Sequence, residues 1–256
     1  MQIYVCVKHV PDSAANIHIL GKDQIDENVA FLLNPYDEHA VSEAAALKKA
    51  NAGSEIIAVT VGKADADKTL RSAMAMGADR GILVETDETC DSMITARALV
   101  AAIKRDGTPD IILTGKESID AEGMQTLFRV GVMMDMPVMT NAAGLTVDGD
   151  KATVVCELSG GNTRTFETGL PCVIGAGRGL NTPSYPTFPD VVKARKKPVE
   201  TVALDSLGID PPKGSAKIVG LEPLVQNRTP KEITGTPAEQ AAQIVNILKN
   251  EAKVIS

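Results

Sequence analysis

Short apolar runs alternate with stretches whose apolar residues recur every three to four positions, and this alternation organises the first half of the chain. Residues 3–7 (IYVCV), 55–61 (EIIAVTV), 81–84 and 110–114 (DIILT) are apolar on both faces. That is the pattern of strands in a parallel sheet covered by helices. Between them, Asn34, Pro35 and Glu38 predict a helix start, with a cap, a proline in the first turn and an early acid. The helix continues through Ala40, Ala44 and Leu47 towards Ala50 and stops before Gly53. Residues 68–76 place Leu70, Ala73 and Met74 on one helical face, and 92–105 do the same with Met93, Ala96, Val100 and Ile103. These Leu and Met stripes read as core. Strands and helices in this order predict right-handed βαβ units in an α/β, doubly wound, mainly parallel sheet.

The texture changes along the chain. A polar excursion over 21–29 predicts a hairpin or loop. After Pro137, residues 142–147 and 152–157 form a predicted β-hairpin turning at Asp148-Gly149, and 164–168 and 172–175 read as further strands. From Asn181 prolines multiply, at 183, 186, 189, 198, 211, 212, 223, 230 and 237. A stretch this long without periodicity predicts an extended arm lying on another body. It ends in an amphipathic helix over 238–249, apolar at Ala241, Ile244, Val245 and Leu248. The expected division is a nucleotide-binding α/β domain over 1–190 and a C-terminal arm and helix over 191–256.

Composition narrows the function. With 26 basic against 33 acidic side chains the net charge is −7, which disfavours the phosphate contacts of nucleic-acid binding. Three tyrosines, four phenylalanines and no tryptophan are too few for base-stacking platforms. No apolar run reaches the roughly 20 residues of a membrane span, so no membrane insertion is expected. The start MQIYVCVKHV carries no leader pattern, and Cys6, Cys90, Cys156 and Cys172 form no C-x-x-C pair. The expectation is reduced, mostly buried thiols in a cytoplasmic protein.

Ligands of a doubly wound sheet bind beyond the carboxyl ends of its strands. The fourth strand leads into Gly115, Lys116, Glu117, Ser118, Ile119, Asp120, Ala121, Glu122, Gly123, Met124, Gln125 and Thr126, and then a helix. A glycine-bearing loop opening a helix can bring free backbone N–H groups onto a phosphate, with Gln125 and Thr126 adding donors. A polar loop that merely caps its helix gives the same pattern. Known signatures fail: Gly115-Lys116 is no P-loop, and Gly175, Gly177 and Gly179 lack the third position of a dinucleotide fingerprint. No metal-ligand spacing occurs around His9, His18 or His39, and no catalytic residue is assigned. His9 with Asp12 reads either as an acid–base pair or as a solvated loop histidine. Lys193, Arg195, Lys196 and Lys197 form a concentrated positive cluster, either a solvated helix face or a docking contact for an acidic partner.

Several segments together resemble the β subunit of the electron transfer flavoprotein family: VCVKHVPD at 5–12, LNPYDEHAVSEA at 33–44, IAVTVGKADADKTLRSAMAMGADRGI at 57–82, PDIILTGKESID at 109–120 with MQT at 124–126, and LNTPSYPTFPDVVKARKKPVE at 180–200. The resemblance implies an adenine nucleotide alpha hydrolase-like fold. It also implies an electron carrier rather than an enzyme, paired with an alpha subunit that holds most of the FAD. Electrons would pass from flavin dehydrogenases such as acyl-CoA dehydrogenase to an acceptor oxidoreductase. It implies AMP in this subunit, with contacts from Cys6, Asn34, Pro35, Tyr36, Asp37, Val61 and the 115–126 loop. In electron-bifurcating members a second FAD takes that place. Here Met124 stands where the AMP type has Asn, while Thr126 keeps that type and the bifurcating D-G-D context is missing. Ser184 replaces the family's arginine in its docking segment, and Phe188 falls at the hydrophobic docking anchor. Ser13 falls where some members place a tyrosine beside the flavin. The other class of function left open is a free-standing nucleotide-binding module of stress-response type.

Overall fold

The computed structural model describes residues 1–209, 218–224 and 230–255. Nine strands make one sheet. In chain order they are β1 (Gln2–Cys6), β6 (Glu55–Gly62), β7 (Arg80–Glu85), β8 (Ile111–Gly115), β9 (Val138–Asp148), β10 (Lys151–Glu157), β11 (Thr163–Gly169), β12 (Cys172–Ala176) and β13 (Val199–Ala203). Two small ribbons intervene: β2 (His9–Pro11) pairs with β5 (Phe31–Leu33), and β3 (Ile19–Leu20) with β4 (Gln24–Ile25). The polar excursion thus supplies one strand of a short hairpin. Helices are α1 (Pro35–Ala50), α2 (Asp67–Met76), α3 (Ser92–Lys104), α4 (Thr126–Met134), α5 (Phe188–Ala194) and α6 (Pro237–Asn246).

The sheet order is β11-β10-β9-β12-β8-β1-β6-β7-β13, parallel from β9 to β13 with β10 and β11 added antiparallel. Alternation along each strand divides the core into two layers. Ile3, Val5, Ile56, Ile111, Leu113 and Ile174 pack with Val41, Ala44 and Leu47 of α1 and Leu70 and Met74 of α2. Tyr4, Cys6, Ile57, Val59, Ile112 and Val173 pack with Ile94, Leu99 and Ile103 of α3 and Leu127 and Val130 of α4. A strand apolar on both faces is therefore buried on both, and the fold is the doubly wound α/β class. The β9–β10 hairpin turns one residue later than expected, at Gly149-Asp150: Asp148 still pairs with Lys151, and Gly149 takes φ +59°.

The predicted arm is only partly an arm. Its first part folds back as α5, and β13 then pairs in parallel with β7, Val199 opposite Gly81 and Ala203 opposite Glu85. Val202 is buried on the face shared with α3. The expected boundary at residue 190 therefore cuts α5, and the first compact unit runs from Met1 to Val219. The signal was weak because one short strand, bracketed by Pro198 and a loop, finds its partner more than a hundred residues earlier. The second unit, Gly220–Ser256, contains α6 and one wider turn over Ile247–Glu251. Thr236 and Glu239 cap α6 reciprocally, and Ile244 and Val245 are exposed. Pro211 and Pro212 lie outside the described residues. Among the described residues no helix is long and apolar enough to cross a membrane.

Candidate functional site

β1 and β8 lie side by side at the centre of the sheet, and the chain leaves them towards opposite edges. Such a switch point separates the loops beyond the strand ends and opens a crevice. Beyond Cys6 and Gly115 lies a cavity of about 510 Å³, within the roughly 300–1,000 Å³ usual for small-molecule sites.

One wall is the start of α1. Asn34 was expected to cap this helix through its side chain, and it does not. Its main-chain carbonyl receives the N–H groups of Asp37 and Glu38. Its amide instead spans the crevice floor: Nδ2 donates to Glu117 O at 2.9 Å, and Oδ1 accepts from Ile119 N at 3.2 Å. Asp37, buried, accepts from Lys8 N at 2.8 Å and Gly115 N at 2.9 Å. These two side chains tie the ends of both central strands to α1. Burial pushes the Asp37 carboxyl up to about 7, against the opposing pull of the Asn34, Lys8 and Gly115 donors. Burial, and secondarily the Asp37 charge, pushes the Cys6 thiol up to about 12, so Cys6 is an inert apolar wall. Gly115 is required here: a Cβ would collide with the Asp37 carboxylate and lie 2.6 Å from Tyr36 Cβ.

The opposite wall is the loop into α4. Among the described residues no side chain caps this helix, so its first N–H groups are available where the macrodipole is positive. Glu122 and Met124 take φ +47° and +49°, and Gln125 follows at φ −106°, ψ −31°. Positive φ followed by right-handed backbone aims successive N–H groups into one anion-binding concavity. Left-handed non-glycine residues are strained, and such strain collects at ligand clamps. The lysines are already paired: Lys8 Nζ lies 2.7 Å from Asp120 Oδ2, and Lys116 Nζ 3.3 Å from Glu117 Oε1. An anion here would meet N–H groups and hydroxyls first. Ser118, Gln125 and Thr126 supply those side chains.

Of the residues expected at the site, Cys6, Asn34, Asp37, Val61, Gly115, Lys116, Glu117, Ser118, Asp120, Ala121, Gly123, Met124, Gln125 and Thr126 line the cavity. Pro35, Tyr36, Ile119 and Glu122 are not part of the lining, and Tyr36 stands behind it with Lys116 Nζ and Arg178 Cζ each 5.2 Å from its ring centre. Sequence reasoning missed a third wall, the loop from β7 into α3. Thr86, Glu88, Thr89, Cys90, Asp91, Ser92 and Thr95 line the cavity there. Asp91 caps α3, accepting from Met93 N and Ile94 N at 2.9 Å. The rule of strand ends applied equally to β7, and Asp91-Ser92 was a visible helix start. Lys8 was also missed as a lining residue.

His9 is neither paired with Asp12 nor solvated. Its ring stacks on Phe31 at 4.7 Å, Nδ1 lies 2.7 Å from Thr69 Oγ1 and Nε2 lies 3.4 Å from Asp65 Oδ2. Burial lowers its pKa, with Asp65 opposing. In the basic cluster Lys193, Arg195 and Lys196 are exposed, whereas Lys197 turns inward. Its Nζ donates to Met74 O at 2.9 Å and Ala78 O at 2.6 Å, so it serves the end of α2 rather than a free charged face. Phe188 and Tyr185 are 81% and 84% exposed. Among the described residues no group of three or more His, Cys, Asp or Glu side chains could hold a metal.

A model of the electron transfer flavoprotein domain matches residues 24–207. The chain is similar to electron transfer flavoprotein subunit beta of Bacillus subtilis (strain 168), 35% identical over 260 residues and covering all of both chains. It is 38% identical over 203 residues to the subunit beta of Syntrophomonas wolfei, covering 79% of this chain and 80% of that one. Against the human subunit beta it is 34% identical over 260 residues, covering 99% of each. With a matched domain spanning most of its length and relatives aligned end to end, the chain belongs to the electron transfer flavoprotein family, on its beta-subunit side.

Proposed function

We propose that this chain is the beta subunit of a heterodimeric electron transfer flavoprotein, carrying electrons from flavin dehydrogenases of the acyl-CoA type to an acceptor oxidoreductase. AMP occupies the crevice of this subunit, and FAD is held mainly by the alpha subunit. The observation that carries the reading is the uncapped start of α4, opening with its strained loop onto a cavity at the β1/β8 switch point. The donor set fits a phosphorylated nucleoside: N–H groups of the α4 start, the Thr126 and Ser118 hydroxyls and the Gln125 amide for phosphate, with Val61 and Cys6 as apolar wall. The flavin supplies the redox chemistry, and the protein binds, orients and excludes water. The exposed Phe188 with Lys193, Arg195 and Lys196 fits a partner surface with an apolar pocket and acidic rim.

The test is chromatography of nucleotides released by denaturing the complex purified from its native cell. One AMP and one FAD per heterodimer are expected. Two FAD per heterodimer would replace AMP with a second flavin, and a colourless homodimer carrying ATP or AMP would mark a free-standing nucleotide-binding module instead. Phe188→Ala is expected to slow flavin reduction by the dehydrogenase at unchanged nucleotide content, and a parallel loss of nucleotide would indicate a folding role.

A further inference from the structure

The helix that presents Phe188 is too short to hold its own shape. α5 has seven residues, fewer than the roughly 12–15 an isolated helix needs in water. Thr187 and Asp190 close its N-terminus by reciprocal capping. Its C-terminus is closed from another element. Arg71, on α2, places Nη1 3.1 Å from Ala194 O, 3.4 Å from Arg195 O and 2.7 Å from Lys197 O. Ala194 and Arg195 are the last helical residue and the cap of α5, whose carbonyls lack the next turn's donors, and Lys197 O lies in the segment that follows, where Lys197 N donates back to Ala194 O at 3.2 Å. Arg71 Nε lies 3.3 Å from Asp67 Oδ2, which fixes the plane of the guanidinium. In return Lys197 closes the end of α2 through Met74 O and Ala78 O. Each segment satisfies the other's carboxyl end with a cation, and Ala194 is buried beneath the junction.

We propose that Arg71 is a positioning residue for partner docking: by capping α5 it fixes the direction in which Phe188 is presented to the dehydrogenase. The proposal rests on the docking reading of Phe188 given above. A planar fork held by Asp67 meets several carbonyls with defined direction, and a lysine ammonium on a flexible stem does so only as a point charge. Arg71 takes no part in lining the crevice, so docking and nucleotide retention separate cleanly.

The experiment uses the full heterodimer and follows reduction of its flavin by an acyl-CoA dehydrogenase supplied with its acyl-CoA substrate. Arg71→Gln is expected to raise the KM for the heterodimer roughly tenfold, with kcat and nucleotide content unchanged. Arg71→Lys recovers part of that loss, and amide exchange over residues 188–197 quickens in step. If Phe188→Ala raises KM and Arg71→Gln does not, the positioning role is overturned while docking stands. If neither variant moves KM, the docking reading itself has failed. Should Arg71→Gln not assemble, Lys197→Met is measured the same way: a raised KM supports the interlock, and an unchanged KM overturns it.

Discussion

Two helix starts border the crevice and use their polar groups differently. At α1, the Asn34 amide and the Asp37 carboxylate point inward and are consumed by the backbone of Lys8, Gly115, Glu117 and Ile119. Among the described residues no side chain caps either helix, but only the loop before α4 carries two left-handed non-glycine residues, Glu122 and Met124, and opens onto the crevice. The same local pattern, a polar helix start after a strand, thus makes a scaffold in one place and a receptor in the other. What distinguishes them is the tally of hydrogen-bonding valences, which depends on contacts far apart in sequence.

Removing the scaffold's central carboxylate tests this hardest. Asp37→Ala leaves two backbone N–H groups without acceptors in the interior, each costing about 1–3 kcal/mol; a loss of about 4 kcal/mol in urea denaturation is expected, and a loss below about 1 kcal/mol would dissolve the distinction. The titration of the same group comes next. Its ordinary value of 3.8 rises to about 7 on folding, so the native state holds this proton more tightly than the unfolded chain. The stability it contributes is complete below about pH 4 and is lost as pH rises towards 7. Denaturation across that range is expected to show a downward slope in the parent that flattens in Asp37→Asn.

On the receptor side the effects are smaller in stability and larger in ligand. Met124→Asn places at φ +49° a residue that tolerates the left-handed region, with an expected gain of about 0.5–1 kcal/mol. It also restores an amide beside the α4 start, so AMP should be retained more tightly through gel filtration; unchanged stability and retention would show that the loop is unstrained. Thr126→Ala is expected to shift stability by no more than about 0.5 kcal/mol while lowering AMP content. A large stability loss there would make α4 a second scaffold.

The sheet and its core were legible because their signals are local. A strand apolar on both faces and a helix with one stripe are each complete within a few residues, and all four first-half strands lie where their patterns place them to within two residues at each end. The loop from β8 into α4 was legible as a crevice wall for the same reason, as glycine, polar residues and a helix start in a row. The β7–α3 wall carries no glycine, and its signals, a strand end and the Asp91-Ser92 helix start, mark a cap without showing that it opens onto the crevice. The inward turn of Lys197 could not be read from a run of four basic residues, because its acceptors, Met74 O and Ala78 O, belong to the end of α2. For α5 and β13, the flanking prolines were true and misleading at once: they mark the breaks between short elements, which resembles the absence of elements.

That β13 covers the edge of β7 and becomes the last strand of the sheet has a consequence for how the polypeptide emerges from the ribosome. The strands that build the crevice are complete once residue 176 has been made, but the outer edge of β7 gains its partner only when residues 199–203 arrive. Until then a row of unpaired peptide groups on an apolar strand is open to neighbouring chains. A fragment cut at residue 190 would keep every crevice-lining residue and yet leave the edge of β7 open, so any minimal version of this protein must extend past Ala203 to cover it.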